Sequence, residues 1–380
     1  MRIALLNLTG GGMSGGYRKY LLNMIPRLAA HPAVEFILCA SPHGLNVKDW
    51  FGNLSNVDFI GCRPFRFMYH RPDSVLYDNL KKYRPDIIFI PLERYLKFEN
   101  IPVVTMVRNM EPLLSPERPT QISERLRRWA QTFEAGIAVK RSMRVIAVSE
   151  FVKDFIIKKW GVPPDKMEVV YFGADSSVNG SCCRPELLPE DWDGNFLFTA
   201  GTIEIYRGLE DLIIAMEYVT AKNPALKLVI AGEPRKIMED YRNKLKEIIK
   251  TKKLSKNILW TGNLNDAEMR WCFRHCAAFV MTTRVEACPN TALEALSNGC
   301  ISIAADNPPL PEVFHNSASY YPSGDGRGLA TVIEQVLGYD NTIRDKISGY
   351  AKSRASYFSW DITVRKTVEE LSKAIGAPCF

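Results

Sequence analysis

The sequence has no apolar run approaching the ~20 residues needed to cross a bilayer, no C-x-x-C pair and no low-complexity segment. The first absence argues against a spanning segment. The opening residues, Met1 to Asn7, read as a short strand running into glycines rather than as a signal peptide. Nine cysteines are an odd and scattered set, which suits reduced cytoplasmic thiols better than a disulfide framework. Cys272, His275 and Cys276 form C-x2-H-C without a second ligand cluster, so helix packing is the better reading. Asp191-Trp192-Asp193 spells D-x-D, but it lies in a Gly-, Pro- and Ser-rich stretch and reads as a solvated turn. Neither a metal nor a cofactor is expected.

Charge is present but unevenly spread. Residues 1–175 hold 25 Lys and Arg against 17 Asp and Glu, and residues 176–380 hold 24 against 25. The first part therefore carries +8 and the second −1. A basic first part suits an anionic partner: an acidic membrane surface, a glycan phosphate or a nucleic acid. A solvated basic face is the alternative. Arg125, Arg127 and Arg128 concentrate the question, because they share a helical segment, 123–140, with Leu126, Trp129 and Phe133. Either that segment docks on an anionic surface, or Leu126 and Trp129 pack inward and leave the arginines as ordinary surface charge.

A chain of 380 residues is long for one core, so two domains are expected. Apolar runs at 3–8, 34–39, 87–91, 103–107, 145–148 and 166–171 read as strands separated by amphipathic stretches. Tyr17, Tyr20, Leu21, Met24, Ile25 and Leu28 follow helical spacing between the first two. Ser149 is placed to cap a helix start. The segment 176–195 breaks the rhythm and reads as the connection between domains. Strands restart at 196–200, 226–231, 258–261, 277–281 and 301–304, with helices between. Alternation of this kind predicts parallel, doubly wound sheets. The expected division is 1–175, a linker 176–195 and 196–358, with a tail helix, 360–376, crossing back to the first domain.

Two carboxylates stand eight positions apart in Glu286-Ala287-Cys288-Pro289-Asn290-Thr291-Ala292-Leu293-Glu294. Glu286 falls in the loop after a strand, and Glu294 about one turn into the next helix. Asn290 and Thr291 fall at the helix start, where backbone N–H groups lack helical partners and the dipole favours anions. That set can hold a phosphate on the amides and polyols on the two glutamates. Earlier, Gly201-Thr202-Ile203-Glu204-Ile205-Tyr206-Arg207-Gly208 follows a strand, and Arg207 is suited to a phosphate. Gly10-Gly11-Gly12-Met13-Ser14-Gly15 formally matches G-x-G-x-x-G. The second strand, however, ends in Cys39-Ala40-Ser41-Pro42-His43 without the acid that takes ribose hydroxyls, which argues against a nicotinamide site.

The Glu286–Glu294 spacing resembles the E-x7-E element of retaining glycosyltransferases of the GT-B architecture, most closely family 4, with Ala287, Cys288 and Pro289 where Gly, Phe and Gly are common. The stretch 201–208 resembles the family's G-R-x-x-x-x-K-G, with Arg207 at the second basic position and Thr202 at the first. Val103-Val104-Thr105-Met106-Val107-Arg108-Asn109 resembles V-x-T-x-H-D/N, with Arg108 in the histidine's place. Residues 149–175 and Pro308-Pro309-Leu310-Pro311-Glu312 resemble two further family stretches. The resemblance implies an α/β GT-B fold, two facing Rossmann-like domains with an interdomain cleft. It implies transfer of a hexose, with retention and without metal, from a nucleoside diphosphate-sugar to a glycan, lipid or small-molecule hydroxyl. Glu286, Arg207 and Arg108 are then the catalytic candidates. Gly11, Gly12, Thr202, Asn290, Thr291 and Glu294 are the donor-binding ones. Polysaccharide biosynthesis in the cytoplasm, with or without peripheral attachment to the inner face of an anionic membrane, is the expected setting, and no nucleic acid is expected as partner. The departures at Thr202, Arg108 and Pro289 keep open a non-catalytic subunit that binds nucleotide-sugar. A nucleotide-sugar epimerase is a further alternative.

Overall fold

The computed structural model describes residues 1–10, 12–65, 73–114, 122–174, 180–192 and 194–377. The chain divides into two compact units, one formed by Met1–Gly173 with Trp360–Phe380 and the other by Ala174–Ser359.

The first unit runs β1 (Arg2–Leu6), α1 (Gly15–Ala30), β2 (Phe36–Pro42), β3 (Val57–Cys62), α2 (Ser74–Tyr83), β4 (Ile87–Ile90), β5 (Val103–Val107), α3 (Glu111–Leu114), α4 (Ile122–Arg141), β6 (Arg144–Ala147), α5 (Glu150–Trp160) and β7 (Met167–Val169). Its seven strands are all parallel and ordered β3-β2-β1-β4-β5-β6-β7. The four residues of β4 and the five of β5 are buried throughout, as expected for strands covered on both faces. Ser149 caps α5, accepting from the Val152 amide at 3.2 Å. The edge strand β3 is not evident as an apolar run, because Asp58 and Gly61 interrupt it. At Gly61 a Cβ would lie 2.4 Å from the ring of the exposed His43, which would have to shift to admit it.

The second unit runs β8 (Phe196–Ala200), α6 (Leu209–Lys222), β9 (Lys227–Ala231), α7 (Glu239–Thr251), β10 (Ile258–Gly262), α8 (Asp266–His275), β11 (Ala278–Met281), α9 (Asn290–Ser297), β12 (Ser302–Ala305), α10 (Leu310–Phe314), β13 (Ala318–Tyr321), α11 (Gly326–Leu337) and α12 (Asn341–Ala355). Six parallel strands lie in the order β10-β9-β8-β11-β12-β13. Phe198, Phe273 and Phe279 form a mutually packed ring cluster at 5.2–6.0 Å between centroids. The sequence marks β13 poorly, because Ala318-Ser319-Tyr320-Tyr321 is a polar edge. Residues 180–192, read from the sequence as a linker, pack within this unit. Leu188 and Trp192 are buried, Arg184 lies over the Trp271 ring, and the Cys183 amide bonds to the Ala267 carbonyl. The remainder of that segment, 176–179 with Asp193, and also Asp175, lie outside the described residues.

The last helix, α13 (Trp360–Ala374), belongs to the first unit. Trp360 packs against Tyr20 and Phe172 and presses on Gly173, where a Cβ would fall 2.3 Å from its ring. Thr363 donates to the Tyr171 carbonyl at 2.8 Å. Glu370 is fully buried and paired with Arg144 at 2.6 Å, and with Lys373 at 2.7 Å. The partners left by Glu370→Ala, Arg144 and Lys373, are 18% and 40% exposed and can reach water. The substitution should therefore lower the unfolding free energy of this unit in urea melts by about 1.5–3 kcal/mol, the scale of hydrogen bonds to a charged group. The adjacent Glu369→Ala, which loses a partly exposed pair with Arg365, should cost under about 1 kcal/mol; equal costs would mean the Glu370 pair does not hold α13.

Candidate functional site

In an open parallel sheet, ligands bind outside the carboxyl ends of the strands where the strand order reverses. In the second unit that point lies between β8 and β11. The loops leaving those two strands carry Arg207 and Glu286.

Three glycines shape these exits. Gly201 follows β8 with φ +141°, and Gly232 follows β9 with φ +123°. A Cβ on Gly232 would sit 2.0 Å from the Gly201 carbonyl, and one on Gly201 would sit 3.1 Å from the Arg207 guanidinium. Only residues without side chains allow this approach. Gly208, with φ +61°, ends the 3₁₀ turn Ile205–Arg207 and starts α6. A Cβ there would meet the Thr282 carbonyl at 2.6 Å. The β8 turn is thus seated directly on the β11 exit. Thr282 Oγ1 donates to the Arg207 carbonyl at 2.7 Å, and the Arg284 amide donates to the Tyr206 carbonyl at 2.8 Å.

Across this seam Arg207 Nη1 donates to Glu286 Oε1 at 2.5 Å, with side chains 20% and 13% exposed. Burial by itself would push the Arg207 guanidinium down, but Glu286, with Tyr206 and Glu204 behind it, holds it above its ordinary value. Burial raises the Glu286 carboxyl, and Arg207 and the Thr283 hydroxyl partly offset that rise. Two further arginines at strand exits are paired in the same manner. Arg235, after β9, grips the buried Glu204 with Nε and with Nη2, the latter at 2.9 Å. Arg284, after β11, bonds Asp211 at 3.2 Å. Asp211 is itself buried and accepts from the Gly324 amide at 3.0 Å. Neither Arg235 nor Arg284 stands out in the sequence. The available signal is that each is a basic residue within a few positions of a strand's end.

Thr202 is exposed in the Arg207 loop, and with Gly201, Arg207, Thr282 and Thr283 it lines a small pocket at these strand ends. Asn290 and Thr291 open α9 behind Pro289, which offers no side-chain cap. The first helical bonds come from the Ala292 and Leu293 amides to the Pro289 carbonyl, so the amides of 290 and 291 precede the ladder. Glu294 is half-buried in the second turn of α9. The sequence therefore located Glu286 in a strand-exit loop and Glu294 inside the following helix, and the fold puts Arg207 against the first of them.

The other candidates lie in the first unit. Gly11 is outside the described residues. Gly12 is exposed, and a Cβ there would meet nothing within 4 Å. Arg108 follows β5, its guanidinium 4.5–4.9 Å from the ring centres of Tyr17, Tyr20 and Phe172, and it donates to the Gly16 carbonyl at 3.2 Å. The backbone amides of Arg108 and Asn109 both donate to Glu93 Oε1, at 2.5 and 2.7 Å. This carboxylate, unnoticed in the sequence, ties the β4 exit to the β5 exit. Deeper in, Asn7 accepts from the Tyr17 hydroxyl at 2.6 Å and donates to Ser41 Oγ at 2.8 Å. Arg108 thus joins α1, the β5 exit and the end of β7 by cation–π contact. Asp191, half of the D-x-D pattern, is exposed in the short turn Glu190–Trp192; Asp193 is outside the described residues.

Two family models match the chain. Glycosyl transferases group 1 covers residues 186–354 and Glycosyltransferase Family 4 covers residues 14–178. An uncharacterized glycosyltransferase of Methanocaldococcus jannaschii is 25% identical over 244 residues, 61% of this chain and 60% of that protein. The O-antigen chain mannosyltransferase RfbU of Salmonella typhimurium is 21% identical over 369 residues, covering 93% of this chain and 95% of its own. Among solved structures, Anabaena HepE in complex with UDP and glucose superposes with a TM-score of 0.75 at 16% identity, over 98% of this chain and 100% of that one.

Proposed function

Because the chain is a glycosyltransferase of the GT-B type resembling family 4, we propose that it transfers a hexose from a nucleoside diphosphate-sugar to a hydroxyl of a glycan, lipid or small molecule, with retention of configuration. The observation that carries this reading is the Arg207–Glu286 pair at the reversal point of the second sheet. A cation is held there beside the start of a helix, the combination that receives a diphosphate.

The proposed roles follow from chemistry. Arg207 neutralises the charge that grows on the departing diphosphate, together with the amides of Asn290 and Thr291. Glu286 accepts from hydroxyls of the transferred sugar, and Glu294 from the ribose. Thr202 lines the phosphate pocket as a neutral donor. Arg108, with Gly11 and Gly12, is assigned to the sugar side, where a fixed guanidinium can hydrogen-bond a hydroxyl or phosphate but cannot act as a neutral base. Departure and attack on one face, with the leaving phosphate taking the acceptor's proton, account for retention without a protein nucleophile. The proposed reaction needs neither metal nor cofactor. The RfbU likeness is consistent with a hexosyl donor and a surface-glycan acceptor.

Three outcomes test this reading. Arg207→Ala should lower kcat by roughly 10²–10³, the scale of one preorganised charge contact; full activity would remove Arg207 from the mechanism, and absence of transfer by the native chain across donors would favour a binding subunit. Glu294→Gln should raise the donor Kd or KM more than it lowers kcat, since ribose contacts are shared by ground and transition states. Unchanged donor affinity, measured by thermal shift against nucleotide-sugars, would sink that role. Transfer should persist in EDTA and in Asp191→Ala; loss in EDTA with recovery on adding Mn²⁺ would establish a metal requirement.

A further inference from the structure

The first unit has a reversal point of its own. Its strand order turns between β1 and β4, which pair in parallel from Ile3–Ile87 to Leu5–Phe89. The chain leaving β4 carries Glu93, and the chain leaving β5 carries Arg108 and Asn109. Glu93 is fixed from two directions. Thr105, fully buried in β5, donates its hydroxyl to the Leu92 carbonyl at 2.7 Å and to the Arg94 carbonyl at 3.0 Å. The backbone is thereby clamped on either side of Glu93. Its Oε1 then accepts the Arg108 and Asn109 amides at 2.5 and 2.7 Å. Two charge-assisted bonds to one oxygen set the orientation of the carboxylate. Both bonds fall on Oε1, and among the described residues no donor bonds Oε2, although Glu93 is half-buried. Asn109 is exposed at the same edge, and its Oδ1 accepts the Glu111 amide at 3.1 Å, so that its Nδ2 remains a donor.

We propose that Glu93 is a specificity-determining residue of the first unit: its Oε2 accepts a hydroxyl of the sugar that receives the transferred group, and Asn109 Nδ2 donates to the neighbouring oxygen of the same ring. The inference rests on the transferase reading above and names a contact of its acceptor. An open parallel sheet binds ligands at the carboxyl ends of its strands where the order reverses, and Glu93 stands at that point. Holding the two loops uses one oxygen of the carboxylate, and a neutral side chain would serve for that. The second oxygen is left for a donor from outside. Because the carboxylate is already oriented, it loses little freedom when a ligand arrives. A phosphate is a poor occupant, since it would face like charge. A polyol fits, because each hydroxyl both donates and accepts, and an acceptor beside a donor matches two adjacent hydroxyls. Such a contact discriminates strongly, since a sugar lacking the hydroxyl leaves a buried charged oxygen unpaired.

The test uses the full chain with methyl glucosides, mannosides and galactosides and their monodeoxy forms, titrated by saturation-transfer NMR. The wild type should bind at least one hexoside at millimolar concentration. Glu93→Gln should weaken that binding about tenfold or more, the scale of a hydrogen bond to a charged group. Gln still offers an oxygen to the Arg108 and Asn109 amides, so the melting temperature and the nucleotide-sugar thermal shift should match those of the wild type. One monodeoxy form should bind the wild type as weakly as the parent hexoside binds Glu93→Gln, with no further loss on that substitution. Asn109→Ala should be matched in the same way by the form lacking an adjacent hydroxyl. A wild type that binds no hexoside overturns the proposal. So does a Glu93→Gln variant that binds every hexoside normally while Glu93→Ala is impaired, the pattern of a loop fastener. Glu93→Gln that weakens nucleoside diphosphate-sugars but not the bare nucleoside diphosphates gives the oxygen to the transferred hexose and overturns the acceptor assignment. Hexoside binding that Glu93→Gln abolishes, in a wild type that takes no nucleotide-sugar, upholds the site and strikes the transferase reading alone.

Discussion

The second unit depends on one ion pair drawn across a seam. The loops leaving β8 and β11 come from strands that are neighbours in space and about eighty residues apart in sequence, and Arg207 with Glu286 fastens them. Gly208 allows the turn to sit on the Thr282 carbonyl, and Gly201 leaves room for the guanidinium. The pair is mostly withdrawn from water, so it is screened less than an exposed pair, and removing either member would leave the other charge poorly solvated. An incoming phosphate would meet a cation already oriented and already partly desolvated. On the proposed function, less reorganisation would then be needed at the moment charge develops.

The same construction recurs at adjacent strand ends. Arg235 with Glu204 and Arg284 with Asp211 repeat the arrangement of a guanidinium held by an acid from a neighbouring segment. Each acid is almost fully buried, and each arginine is the more exposed member. The loops of the second sheet are therefore fixed by charge as much as by packing. Positive groups remain near the surface while their counterions lie beneath them. Thr202 lines the small pocket at the strand ends beside the first of these cations, Arg207.

Much of this was legible in the sequence because buried parallel strands leave continuous apolar runs. Strands 103–107 and 196–200 were located to the residue, and the helix carrying Glu294 began where Asn290 indicated. Edge strands β3 and β13 were missed, since a strand covered on fewer sides can carry Asp58, Gly61 or Ser319. The pairs made by Arg235 and Arg284 were invisible for a different reason: their partners lie 31 and 73 positions away, and no local pattern encodes such a distance. The direction of Leu126 and Trp129 on α4 was ambiguous on principle. Periodicity reports that one face is apolar but not what covers it. In α4 the packed face is built from Ala135, Gly136, Ala138 and Val139, which contribute little to an apolar pattern, while Leu126 and Trp129 are 62% and 61% exposed rather than packed inward.

The return of α13 to the first unit has a consequence for the order in which the molecule can be made. Residues 174–359 are, topologically, an insertion between β7 and its final helix. Before α13 emerges, Tyr20 and Phe172 lack Trp360, and Arg144 lacks Glu370. A ribosome would release these partners only after the whole second unit had been translated. The unit that starts synthesis first is thus the last to acquire its complete core, and the inserted unit, whose sheet is contiguous in sequence, is free to fold while the first still waits.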